Sequence, residues 1–189
     1  MLHLHNLQNP HHWMPTISQS LITRHLGRTP RIHALAACVP PTTRVFVDIG
    51  TNHGILPIAI IRARRARSCI AIDLSPAAIA ETTRRLQRCR CADRVALRLG
   101  DGLLAITATE AHTIDVVCIA GLGQQTIQDI LARGLSRLPQ QPLRLVLNPI
   151  GNHLALRAFL TEQGFLLTHD ATVEERHRHY PILVAERAS

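Results

Sequence analysis

The feature that most constrains this chain is a repeated beat: a short apolar run, a turn carrying glycine or an acid, then a helical pattern. Apolar runs of strand length fall at residues 44–49, 68–74, 95–99, 114–120, 143–147, 165–168 and 180–186. Helical patterns occupy 31–39, 56–67, 76–88, 125–133 and 153–163. Such alternation predicts an α/β fold, with a parallel sheet covered by helices on both faces. Only the polar segment Asp170 to His179 separates the last two runs. It predicts a hairpin, giving a seven-stranded, mostly parallel sheet with an antiparallel last strand.

Local signals place the boundaries. Pro40 and Pro41 stop the first helix, and Pro57 suits the first turn of the second. Ser75 reads as an N-cap with Pro76 at the first helical position. Gly164 closes the last helix. The tail Arg62-Ala-Arg-Arg-Ala-Arg67 is expected in the last turn of its helix, where cations suit the dipole. Residues 1–30 are histidine-rich and irregular, with a short helix expected over Ile17 to Leu26. No fixed ligand spacing supports a metal-binding tail there, so they read as an N-terminal extension to a folded domain at 31–189.

With 189 residues, one sizeable core is expected. No apolar run approaches the length of a membrane span, and no signal peptide opens the chain, so a cytoplasmic protein is expected. The five cysteines are odd in number, and Cys89 and Cys91 stand too close for the usual zinc pair. They read as reduced, structural thiols, with no metal. Net charge is +8, and every basic side chain other than histidine is arginine. That suits a polyanion such as RNA, or serves only solubility and follows genome composition. Two arginine groups, at residues 62–67 and 84–94, fall at helix ends, on the face opposite the expected crevice.

The chemistry gathers at the strand ends. Val45-Phe-Val-Asp-Ile-Gly-Thr-Asn-His-Gly54 is a strand running into a turn with Gly50 and Gly54, and glycine lets backbone approach a ligand closely. Asp48 can accept from the loop or from a cationic ligand group. Asp73 ends the second strand and can accept both hydroxyls of a ribose, at the interval a nucleotide fold expects. Asp101, beside Gly102, can accept from an adenine amino group. Any one of these acids could be a cap or a solvated turn. As a set they end successive strands, where an α/β sheet has its crevice. Seven strands with a terminal hairpin resemble the Rossmann-like class I methyltransferase layout. The cofactor implied is S-adenosyl-L-methionine, which has no phosphate and needs no phosphate-type glycine fingerprint.

Four stretches carry a closer resemblance: Val47-Asp-Ile-Gly-Thr-Asn-His-Gly-Ile-Leu-Pro57, Arg98-Leu-Gly-Asp-Gly-Leu103, Ile119-Ala-Gly-Leu-Gly123 and Tyr180-Pro-Ile-Leu-Val-Ala-Glu-Arg187. Together they resemble the bacterial tRNA adenine-22 N1-methyltransferase family over about Arg31 to Arg187. The resemblance implies methyl transfer to N1 of an adenine in tRNA. It places Asp48, Gly50, Asn52, His53, Asp73, Leu74, Asp101 and Gly102 at the cofactor, with Ala120, Gly121 and the residues on to Gly123 beside the reacting methyl. The family usually has an acid at the position of Asn52 and a small residue at that of Gln124. It also carries a helical C-terminal domain, which the chain ending at Ser189 is expected to lack. Candidate target-side groups are His53, Gln124 and Asn148. The alternatives are a methyltransferase for a small molecule or protein, and an inactive cofactor-binding module for RNA or another partner.

Overall fold

The computed structural model describes residues 29–138 and 142–187. Ile17 to Leu26 and the histidine-rich stretch lie outside the described residues. Helix α1 (Pro30–Ala37) precedes β1 (Thr43–Ile49), α2 (Ile55–Arg62), β2 (Ala66–Asp73), α3 (Pro76–Cys89) and β3 (Val95–Leu99). A short α4 (Ala108–Ala111), β4 (Ile114–Gly123), α5 (Gln124–Gly134), β5 (Leu143–Ile150), α6 (Leu154–Glu162), β6 (Leu166–Glu175) and β7 (Arg178–Arg187) follow. The strands form one sheet in the order β3-β2-β1-β4-β5-β7-β6. Only β7 runs antiparallel to its neighbours, β5 and β6.

Successive strand residues point to opposite faces. Val47 and Ile49 join Ile72, Ile119, Leu147 and the inner faces of α5 and α6 in one core layer. Phe46 joins Ala71, Val116, Val184 and the apolar faces of α1, α2 and α3 in the other. All five cysteines are free, and four are buried. Burial pushes the Cys38 thiol up to about 11, which keeps it protonated and inert.

Several boundaries differ from the sequence reading: β4 runs on to Gly123 through a bulge at Gly121, β5 runs on to Ile150, and α1 ends at Ala37. Two further differences have a clear local reason. Helix α2 ends at Arg62, not Arg67. Arg64 turns left-handed with φ 53°, and the next amide reaches back, Arg65 N–H to Ile60 O at 2.9 Å. With Arg64 N–H to Ile61 O at 3.1 Å, this is a Schellman closure without the glycine that normally signals it. Arg65 is therefore buried, leading into β2. Likewise the polar segment after residue 168 is not a loop: β6 and β7 pair through Glu175↔Arg178. Arg176 and His177, both at positive φ, make the two-residue turn.

Candidate functional site

Strand order reverses between β1 and β4, so the helices on either side diverge there and leave a crevice at the strands' carboxyl ends. A cleft of about 780 Å³ fills it. It collects residues from four adjacent strand ends and from α1.

The loop after β1 is held from below. Gly50 N–H and Thr51 N–H both donate to Ile72 O, at 2.9 and 3.0 Å. Asn52 N–H donates to Asp73 Oδ2 at 2.8 Å, and Ser75 N–H donates to Asp73 Oδ1 at 2.9 Å. One carboxylate thus fixes the loop and the start of α3. Gly54 has φ 66°, and a Cβ there would collide with the side chain of Thr82. Thr82 Oγ1 in turn donates to Asn52 O at 2.8 Å, closing the loop on α3.

Asp48 is 4% exposed. Burial pushes its carboxyl up to about 7, with the Thr51 hydroxyl pulling it down and the Asp73 charge adding to the rise. It is therefore poised between its charged and neutral forms near neutral pH. At the far end, Gly102 has φ 53° and lies against Ile130, leaving 2.9 Å to any added Cβ. Arg133 grips Asp101 through both guanidinium tips, donating from Nη1 to Oδ2 at 2.5 Å and from Nη2 to Oδ1 at 3.1 Å, which fixes the carboxylate and leaves each oxygen a further lone pair.

Asp48, Gly50, Asn52, His53, Asp73, Leu74, Asp101, Gly102, Ala120 and Gly121 all line the one cleft. Leu74 is 69% exposed, an apolar side chain at the mouth. Gln124 and Asn148 do not line it. Gln124 opens α5. Asn148 lies inside β5, wholly buried, and donates from Nδ2 to Pro181 O at 2.7 Å. It ties β5 to β7 where their backbone pairing ends at Leu147↔Leu183. Among the described residues no group of acids, histidines and cysteines is arranged to hold a metal.

Sequence reasoning missed three contributors. Arg133 looks like any surface cation until the fold sets α5 beside Asp101. Thr82 sits in a helix whose pattern says nothing of the loop it supports. Arg31 lines the cleft from α1. Its signal was present: a cation in the first turn of a helix stands against the dipole, so something else must hold it there.

A seven-stranded sheet of this order, with its cleft at the β1/β4 reversal, defines a Rossmann-like methyltransferase fold. Residues 28–183 match the family model described as a methyltransferase domain, and the chain belongs to that family. Within it, the chain is similar to the tRNA (adenine(22)-N(1))-methyltransferase of Bacillus subtilis (strain 168), 30% identical over 156 residues. That match covers 82% of this chain and 63% of the relative, so the chain spans less than two thirds of the relative's length. The solved B. subtilis M1A22 tRNA methyltransferase TrmK superposes with a TM-score of 0.78 at 27% identity, over 87% of this chain and 68% of that one. Streptococcus pneumoniae Sp1610, solved with S-adenosyl-L-methionine bound, gives a TM-score of 0.78 at 28% identity, over 85% of this chain and 73% of that one.

Proposed function

We propose that this domain binds S-adenosyl-L-methionine and transfers its methyl group to N1 of an adenine in tRNA. The observation that carries the reading is the convergence of Asp48, Asp73, Asp101 and the Gly121 bulge, one from each of four neighbouring strand ends, on one cleft. The names of the relatives above support the substrate.

The residues fit that cofactor. Asp73 spends two of its roughly four lone-pair positions on Asn52 and Ser75, which leaves two for ribose hydroxyls. Asp48 offers a buried carboxylate to an ammonium group, which would draw it into its charged form. The positive-φ glycines at 50 and 102 keep side chains out of the ligand's path. Leu74 and Ile130 supply apolar surface for a base. Asp101, fixed by Arg133, keeps a lone pair on each oxygen for an adenine amino group.

When bound, the cofactor supplies an electrophilic methyl on a sulfonium. The chain's task is then alignment. Adenine N1 is already nucleophilic, so no strong general base is required, and the gain comes from holding donor and acceptor in line. The placement of Gln124 and Asn148 outside the cleft walls agrees with a site that works by positioning. His53, at the rim, is the target-side candidate that lines the cleft. The target adenine must first leave its stack and pairing to reach it.

The test is to incubate the protein with undermodified tRNA and labelled cofactor, then map methylated nucleosides by mass spectrometry. N1-methyladenosine at a single position is expected. Absence of methyl incorporation while S-adenosylhomocysteine binds normally would falsify the tRNA reading. Transfer to a small acceptor without tRNA affinity would move the substrate to another class.

A further inference from the structure

The rim of the sheet is not level. Ile49, Ile119, Leu147 and Leu183 stand on one line across β1, β4, β5 and β7. β7 runs against the other three, so its start lies past that line, on the side of the cleft. Arg178 is five strand positions beyond Leu183, roughly 17 Å at the rise of a strand. β6 stays paired to it as far as Glu175↔Arg178, so the hairpin stands above the rim. It is two strands away from β4, about 10 Å to the side at ordinary strand spacing.

The hairpin is tied to the cleft. Arg31, which lines the cleft, donates its backbone N–H to Glu175 Oε2 at 3.1 Å. Its guanidinium carbon sits 4.7 Å from the centre of the Tyr180 ring. The tip between them is Arg176-His-Arg-His179, exposed at all four positions. Of the neighbouring acids, Glu175 is turned onto Arg31 and Glu174 lies 3.9 Å from His177. None of the ion pairs among the described residues uses Arg176 or Arg178. The arginine groups at residues 62–67 and 84–94 are elsewhere, toward the C-terminal ends of α2 and α3 and the starts of β2 and β3. β5, the strand between β4 and the hairpin, ends in Ile150, and Leu154 opens α6 just beyond. Both are large apolar side chains more than half exposed, 57% and 67%.

We propose that the tip of the β6–β7 hairpin grips the phosphate backbone of the tRNA through Arg176 and Arg178, a proposal that rests on the tRNA reading above. A guanidinium with no acid partner has its planar fork free for a phosphate. Contacts of this kind set where a nucleic acid lies, not which base is read. Beside the mouth of the cleft, they hold the strand while the target adenine leaves its stack. Ile150 and Leu154 give apolar surface to bases along the way, which a purely charged polymer would not use.

Two double variants of equal charge test this. Arg176→Gly with Arg178→Gln removes both tip cations, and glycine suits the positive φ of 50° at residue 176. Arg67→Gln with Arg94→Gln removes two exposed cations at the far end of the sheet. In anisotropy titrations with an unmodified tRNA transcript at about 50 mM salt, the tip variant is expected to bind about tenfold or more weakly than wild type. Its slope of log affinity against log salt should flatten by about 1–2, since each arginine releases one phosphate. The far-end variant should lose less than about threefold, through the screened field alone. Calorimetry with S-adenosylhomocysteine should give the wild-type affinity in both variants, with the fold and cleft intact. Equal tRNA losses in the two variants overturn the grip, by assigning the effect to overall charge. No loss in the tip variant, or a matching loss of S-adenosylhomocysteine affinity, overturns it as well. Wild-type protein that binds S-adenosylhomocysteine but no tRNA overturns the substrate reading itself, and the grip with it.

Discussion

Asp48 shows how much one residue can be asked to do. Its folded carboxyl sits near 7, against an ordinary value of 3.8. Between those values the folded state holds a proton the unfolded chain has released, so this group's contribution to stability is full below about 3.8 and drains away as pH rises through 7. Asp48→Asn removes that dependence. Its gain in melting stability over wild type should be on the order of 2–4 kcal/mol larger at pH 8 than at pH 4. Melts at the two pH values check this, and an equal shift at both would discard the buried-proton account. The same variant should lose cofactor affinity, which marks the burial of Asp48 as a cost borne for binding. Asp73 differs in that its protein contacts are made from both oxygens. Asp73→Ala should weaken S-adenosylhomocysteine by about 1–3 kcal/mol and loosen the Asn52 loop. Unchanged affinity by calorimetry would remove it from the site. These acids were legible because each ends an apolar run. Arg133 was not: its place beside Asp101 depends on which helix the fold lays beside which strand, and no local spacing records that.

At the scale of elements, what could be read was what local chemistry writes down. Ser75 caps α3 by accepting from Ala78 N–H at 3.3 Å, Pro76 starts it, and Gly164 closes α6. The misreadings fall where the backbone does something its residue type does not advertise. Arg64, where α2 was read too long, takes the left-handed position of a Schellman closure that glycine normally fills; Arg90 does the same after α3, whose end was read to within a residue. For a residue with a Cβ that conformation costs energy. Arg90 is exposed, and Cys91 N–H bonds to Leu86 O at 3.1 Å around it. Arg90→Gly should therefore stabilise the fold by roughly 0.5–1 kcal/mol, or about 1–4 °C in melting temperature. A drop in melting temperature would show that the side chain contributes more than the backbone strain removes. The hairpin was legible in kind and not in length. Arg176-His177 lacks the Asn-Gly signature of a two-residue turn, so ten-residue strands were read as short ones.

At the scale of the whole molecule, the seven-stranded architecture followed from the alternation itself, since few topologies satisfy it. Charge is the other global property. Glu81 pairs with Arg84 and Arg85, and Asp170 pairs with Arg157. The balance still leaves a net charge of +8. If RNA is the substrate, its affinity should fall steeply with salt while that for S-adenosylhomocysteine changes little. A protein contacting several phosphates loses on the order of tenfold or more between 50 and 200 mM salt. A flat salt profile in a filter-binding or anisotropy titration would argue that the arginines serve solubility alone.

The bond from Arg31 to Glu175 joins residues 144 positions apart in the sequence. Its consequence concerns synthesis. As the chain leaves the ribosome, the loop after β1 and the acids at the ends of β2 and β3 emerge early. The wall bearing Arg31 gains its support only when β6 and β7 arrive. A chain halted before the hairpin lacks this tie between α1 and the sheet, so the α1 wall of the cleft is the last to be secured.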